Sequence, residues 1–132
     1  MKTKSAVVNV LLKKENDFRW HANSVYSLRD KQELIGGGLL DRVSLPHNID
    51  LWVNDEMTSE HGLNLIILWD NKPDYHQYIF GPVLLSGVDE NGETVSLTVF
   101  QRKWIAKQLR IGNLTNGQRI TVIDVNVGGA IV

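Results

Sequence analysis

The residues most able to support chemistry are a few histidines and one acidic cluster. That cluster joins Asp55, Glu56, Glu60 and His61, which could hold a hard cation or act as acid and base, although such clusters are more often solvated loop. No Ser or Thr stands in a nucleophile-elbow context, and the absence of cysteine excludes a thiol nucleophile. We therefore predict a non-enzymatic protein with no catalytic residue, no metal site and no cofactor. The histidines lack zinc-type spacing: His21, His47, His61 and His76.

Tryptophan is frequent for a chain of 132 residues, which contains four of them. Most should be core residues, but tryptophan is also enriched where proteins bind partners. Trp52 lies beside the acidic cluster, and Trp69 ends an apolar run. We therefore predict that Trp52, Asp55, Glu56 and Trp69 form the ligand-binding or partner-binding site.

Basic residues gather near the C-terminus and offer an alternative. From residue 94 to residue 123 there are five bases and no acid, whereas residues 41–93 carry ten acids and two bases. Nucleic-acid binding through a basic helix over residues 98–110 would use Arg102, Lys103, Lys107 and Arg110, with Arg119 nearby. The isoelectric point of about 6.4 favours a solvated helix face instead. The net charge of −1 also argues against mimicry of DNA by the acidic middle.

The length and composition are those of one globular domain over residues 1–132. Apolar residues make up 42% of the chain and charged residues 22%, which is an ordinary balance for a globular protein. The apolar run over residues 5–12 is too short for a signal peptide or a membrane span. We therefore expect a cytoplasmic protein with no membrane partner.

Hydrophobic patterning and turn residues divide the first half of the chain. Residues 5–12 read as a strand, and residues 18–21 as a second short one. Ser27 and Asp30 resemble a capping pair for a helix of about eight residues, which Gly36, Gly37 and Gly38 end. Residues 39–45 and 49–54 then flank a hairpin turn at 46–48.

The second half is patterned less clearly. The run over residues 62–69 fits a buried strand or a short helix, and residues 70–74 read as a loop. One strand is expected over 78–85 and a tight turn over 89–92. Thr98 and Gln101 predict a helix to about residue 109, with Phe100, Trp104, Ile105 and Leu109 on its inner face. A strand should follow over 119–127.

These elements predict an α+β fold, in which a mostly antiparallel sheet of five or six strands packs with two principal helices. Residues 110–132 should extend the fold with a C-terminal strand. The apolar, uncharged end over residues 127–132 invites edge-to-edge pairing, so we also predict a homodimer.

The order of several turn and glycine motifs is similar to that of a known family. A short helix ends in Gly-Gly at 36–37, a hairpin strand ends in Asn-Asp-Glu at 54–56, and a Gly-Pro-Val strand follows at 81–83. Over residues 28–98 the chain resembles a domain-of-unknown-function family found mostly in phages, plasmids and other mobile elements. In this chain, residues 57–61 separate the acidic pair from the glycine that usually follows it directly.

The resemblance implies a small accessory protein of phage type and no assigned reaction. Together with the missing catalytic constellation, it predicts a non-enzymatic binding protein that acts on a host protein or a small anionic ligand, with counter-defence as one such role. The nucleic-acid-binding protein described above is the alternative.

Overall fold

A computed structural model describes residues 7–57 and 62–126 of the chain, in which ten strands and two helices lie. The predicted α+β class, mostly antiparallel and with two principal helices, is confirmed. In chain order the elements are β1 (Val8–Lys13), β2 (His21–Val25), α1 (Leu28–Leu34), β3 (Leu40–Leu45), β4 (Ile49–Asn54), β5 (Leu63–Trp69), β6 (Lys72–Phe80), β7 (Val83–Val88), β8 (Thr94–Val95), α2 (Val99–Gln108), β9 (Leu109–Asn113) and β10 (Arg119–Val125).

The described strands form two sheets, whereas the sequence predicted a single sheet of five or six strands. The first sheet has the order β2-β1-β7-β4-β3, with β8 beside β7, and all of its pairs are antiparallel. The second has the order β6-β5-β10-β9, in which only β5 and β10 are parallel. Non-local pairing between β5 and β10 builds the second sheet, and no local sequence pattern reveals it.

The chain passes from one sheet to the other at Gly81-Pro82, where a single strand over 78–85 was predicted. Gly81 has a φ of +80°, which is costly for any other residue, and Pro82 lacks the N–H that a continuous strand would need. A Cβ added at Gly81 would also lie 2.7 Å from Met57 Cγ. Strand β6 therefore ends in the second sheet, and β7 begins in the first.

Other element boundaries also differ from the predictions. Residues 62–69 form strand β5, and β6 begins within the predicted loop over 70–74. The second strand starts at His21 rather than covering residues 18–21, and β9 was not predicted. The apolar C-terminal end over 127–132 lies outside the described residues, so homodimer formation stays a prediction.

Three groups of apolar side chains hold the layers together. The central core lies between the sheets, and its buried members include Leu51, Leu85, Ile67 and Ile123. On the other face of the first sheet, Ile35 at the end of α1 packs in a cluster with residues of β1, β2 and β7. The outer face of the second sheet carries a smaller cluster: Ile66, Ile120 and Val122.

Helix α1 begins and ends as its sequence indicates. The Ser27 hydroxyl accepts a hydrogen bond from the N–H of Asp30 at 3.3 Å, which caps the first turn. Residues 36–38 are all glycines with positive φ, from +82° to +94°, so the chain can reverse directly into β3. Asn54 fixes this reversal because its Nδ2 donates to the carbonyls of Ile35 and Gly37.

Helix α2 is capped by the predicted pair and closes one end of the central core. Thr98 and Gln101 form a reciprocal capping box, and Gln101 Nε2 also donates to the carbonyl of His47 at 2.8 Å. Trp104 and Ile105 are buried as predicted, whereas Phe100 is 49% exposed and lies outside the core. The buried Gln101 occupies the inner position instead, because it is bound to the 46–48 turn. No helix in the described ranges is long and apolar enough to span a membrane.

Candidate functional site

A buried lysine at the end of β1 is the most unusual charged group in the molecule. Lys13 is only 2% exposed, and Nζ donates to the backbone carbonyl of Asn64 at 3.1 Å and to its side-chain Oδ1. Within residues 7–57 and 62–126, no carboxylate forms an ion pair with this ammonium. A buried charge normally has a carboxylate partner, because leaving it unpaired costs several kcal/mol, on the order of 3 or more.

Asn64 is aimed at Lys13 by an irregularity in β5. The pairing register between β5 and β6 shifts between Leu63 and Leu65, so Asn64 is the extra residue of a bulge. Its Nδ2 donates to the carbonyls of Lys13 at 3.2 Å and of Gly81 at 2.8 Å. One buried amide therefore connects β1, β5 and the segment where the chain changes sheets.

Desolvation controls the charge state of this lysine. Burial lowers the pKa of Lys13 to about 8, and the negative charge of Asp17 opposes part of that shift. Lys13 is still protonated for the most part at pH 7, and it loses its charge within two pH units above that. Because burial makes the charged form of Lys13 costly, an anion that contacts the ammonium would stabilise that charged form.

An open groove of about 300 Å³ lies beside Lys13, at the corner where both sheets meet. Phe18 is 44% exposed, and its ring centroid lies 5.7 Å from Lys13 Nζ and 5.5 Å from Arg119 Cζ. We call this the Lys13 groove. Its lining residues are Lys13, Asn16, Asp17, Phe18, Leu63, Asn64, Gln118, Arg119 and Ile120.

A larger groove of about 510 Å³ lies at the start of α1 and is lined in part by Lys31. The ammonium of Lys31 is already engaged, because it lies 3.8 Å from the Trp52 ring centroid and donates to Thr94 Oγ1 at 2.9 Å. Burial lowers the pKa of Lys31, and attraction from the buried Asp50 opposes this. Because the Trp52 ring and the Thr94 hydroxyl already contact this ammonium, we regard the larger groove as the weaker site for an anion.

The four residues predicted to bind a ligand or partner do not form one site. Trp52 is half-buried on the α1 side of the first sheet, and its Nε1 donates to Ser86 Oγ at 2.9 Å. Trp69 packs on the central core, where its Nε1 donates to Gln77 at 3.1 Å. Asp55 and Glu56 are exposed in the turn after β4. The structure thus places the two indoles in different sheets and in separate clusters.

The acidic cluster is not assembled into a metal site in the described ranges, which contain no group of three or more histidine or acidic side chains suited to a cation. Glu60 and His61, which the sequence placed in that cluster, lie outside these ranges.

The predicted basic helix is shorter than residues 98–110. Arg102, Lys103 and Lys107 are exposed on α2, but the helix ends at Gln108. Arg110 therefore lies on β9, where its guanidinium pairs with Asp124 at 2.6 Å and 3.3 Å. Three bases rather than four remain on the helix surface.

Sequence reasoning missed Lys13, Asn64 and Phe18. One signal was present, because Lys13 continues the alternation of β1 and lies on the same face as Leu11, toward the core. Asn64 was likewise the one polar residue inside an apolar run. Neither signal shows that these two residues, 51 positions apart, contact each other.

A family model described as domain of unknown function (DUF3846) matches residues 8–110. The chain belongs to this family. The match includes the predicted span of 28–98 and extends it at both ends. The family segment contains Lys13, Phe18 and Asn64, whereas Gln118 and Arg119 follow it. No curated protein and no solved structure gives a significant match.

Proposed function

We propose that this protein is a non-enzymatic binding protein that holds a small anionic ligand in the Lys13 groove. One observation carries the proposal: Lys13 is a buried ammonium whose hydrogen-bond partners are neutral oxygens of Asn64. An ammonium has three N–H donors, and Asn64 accounts for two of them. An incoming anion would supply the missing acceptor and a countercharge at ion-pair distance, which Asp17 does not provide.

Arg119 and the backbone around the groove support the same ligand class. The exposed guanidinium of Arg119 lies near the same Phe18 ring as the Lys13 ammonium and provides a second cation. The two cations converge from different sheets, since Lys13 ends β1 and Arg119 begins β10. A bulge next to them is typical of places where a strand re-aims a functional side chain.

We propose that this binding takes place in a host cell. Membership of the family, together with its resemblance to proteins of phages and other mobile elements, supports an accessory role in the cytoplasm of a host cell. Binding would lower the concentration of the free anion in the host cell. If that anion is a metabolite or a signal of the host, the protein would have a counter-defence role. Binding of a host protein is the less supported form, because Trp52 and Trp69 are each engaged inside the molecule.

Titration calorimetry with sulfate and inorganic phosphate tests the proposal. We expect Lys13→Met to weaken binding by about 10- to 100-fold, since a hydrogen bond to a charged group contributes about 1.5–3 kcal/mol. Arg119→Gln should weaken binding by a smaller factor of about 3 to 10, because Arg119 is exposed. Arg102→Gln, on the exposed face of α2, is the matched control and should leave binding unchanged.

Two outcomes would overturn the proposal. The first is that neither anion binds the wild-type protein. The second is that Arg102→Gln weakens binding as much as Arg119→Gln does. In that case short DNA and RNA oligonucleotides should bind with steep salt dependence, and the alternative function through Arg102, Lys103 and Lys107 would be favoured.

A further inference from the structure

The Lys13 groove holds a carboxylate as well as two cations, which a site for a bare inorganic anion would not need. Asp17 lines the groove, and its oxygens accept hydrogen bonds from the Arg19 N–H at 3.0 Å and from His21 Nε2 at 2.8 Å. The Arg19 N–H and the His21 ring lower the pKa of Asp17, so the group is anionic at neutral pH. A carboxylate repels sulfate or phosphate, but it accepts readily from a sugar hydroxyl.

The aromatic ring in the groove adds a third kind of contact. Phe18 is partly exposed and lies beside a guanidinium, and both groups stack well on planar heterocycles. Asn16 and Gln118 line the same groove, and neither side-chain amide has a hydrogen-bond partner in the described parts of the chain. Side-chain amides both donate and accept, as the polar edge of a nucleobase requires.

From these contacts we infer that the ligand of the Lys13 groove is a nucleotide with a single base. Its phosphate would lie between Lys13 and Arg119, its sugar hydroxyls on Asp17, and its base against Phe18. The volume of about 300 Å³ is at the lower limit for small-molecule sites, which suits one nucleotide and not a dinucleotide. This inference rests on the proposed function and specifies the ligand class of the same groove.

Calorimetry with a matched set of probes tests the inference at constant ionic strength. The probes are adenosine monophosphate, uridine monophosphate, ribose 5-phosphate, adenosine and sulfate. We expect at least one of the two nucleotides to bind about tenfold or more tightly than ribose 5-phosphate, because stacking of a base on an aromatic ring contributes about 1–3 kcal/mol. Phe18→Leu should remove that advantage, whereas Arg102→Gln, on the exposed face of α2, should retain it.

Asp17→Asn provides a second test, because it should change the affinities for sulfate and for nucleotides in opposite directions. At pH 6, where Lys13 stays protonated, loss of the carboxylate should strengthen sulfate binding because repulsion disappears. It should weaken nucleotide binding, because a strong acceptor for the sugar is lost. If both nucleotides bind no better than ribose 5-phosphate, the nucleotide inference is wrong while the anion proposal stands. If Asp17→Asn strengthens nucleotide binding as much as sulfate binding, the inference is also wrong. If no phosphate compound and no sulfate binds, both proposals fall together.

Discussion

The folded protein should become more stable as the pH rises from about 8 to about 10.5, because Lys13 is protonated in the unfolded chain and loses its proton in the native one. The pKa of Lys13 is lowered from 10.5 to about 8 by burial. Below pH 8 both states carry the proton, and the native state bears the full cost of a buried charge. Between the two pKa values the unfolded state binds more protons, so the free energy of unfolding increases, by up to about 3 kcal/mol.

Urea denaturation at pH 7.5, 8.5, 9.5 and 10.5 measures this rise. Lys31 contributes a change of the same sign, since its pKa is also lowered by burial. The difference between wild type and Lys13→Met therefore isolates Lys13, whose charged neighbours are Asp17 and, near the same Phe18 ring, Arg119. A flat or falling profile in the wild type, or a titration of the Lys13 side chain near 10.5 by NMR, would show that its ammonium is solvated.

Replacing Asn64 by Leu should destabilise the protein by about 3–5 kcal/mol, which is unusually large for one substitution. Leucine has the same number and branching of side-chain heavy atoms as asparagine, but it offers no polar atom. The change leaves the Lys13 ammonium with only a backbone acceptor and removes the donor that serves the carbonyls of Lys13 and Gly81. Urea denaturation at pH 7 gives the free energy of unfolding.

Asn113→Leu is the matched control, because Asn113 is exposed at the end of β9. Its effect should stay within about 0.5 kcal/mol. A loss below about 1 kcal/mol for Asn64→Leu would mean that the Asn64 amide does not hold the corner between the sheets.

Local features of the fold were predictable from the sequence, because they depend on residues close together in the chain. Ser27 and Thr98 cap the two helices where the sequence placed those caps, and the turn at 46–48 joins two paired strands. In that three-residue turn His47 and Asn48 adopt left-handed backbone. Such signals extend over only three or four residues.

The division into two sheets and the candidate site were not predictable in the same way. Both depend on contacts between distant segments, such as the parallel pairing of β5 with β10. Lys13 follows the strand predicted over residues 5–12, and its contact with the bulge residue Asn64 joins positions far apart in the chain. The positions of Trp52 and Trp69 in different sheets also depend on distant contacts, and their role in binding stays a prediction.

The affinity for sulfate as a function of pH tests most directly whether the Lys13 groove binds anions. Sulfate keeps its charge from pH 7 to pH 9.5, so any change in affinity comes from the protein. We predict that sulfate binding weakens by about tenfold or more over this range, with a midpoint near the pKa of Lys13 at about 8. Binding that is independent of pH, or that is lost only near pH 10.5, would contradict the assignment of Lys13 as the anion-binding group.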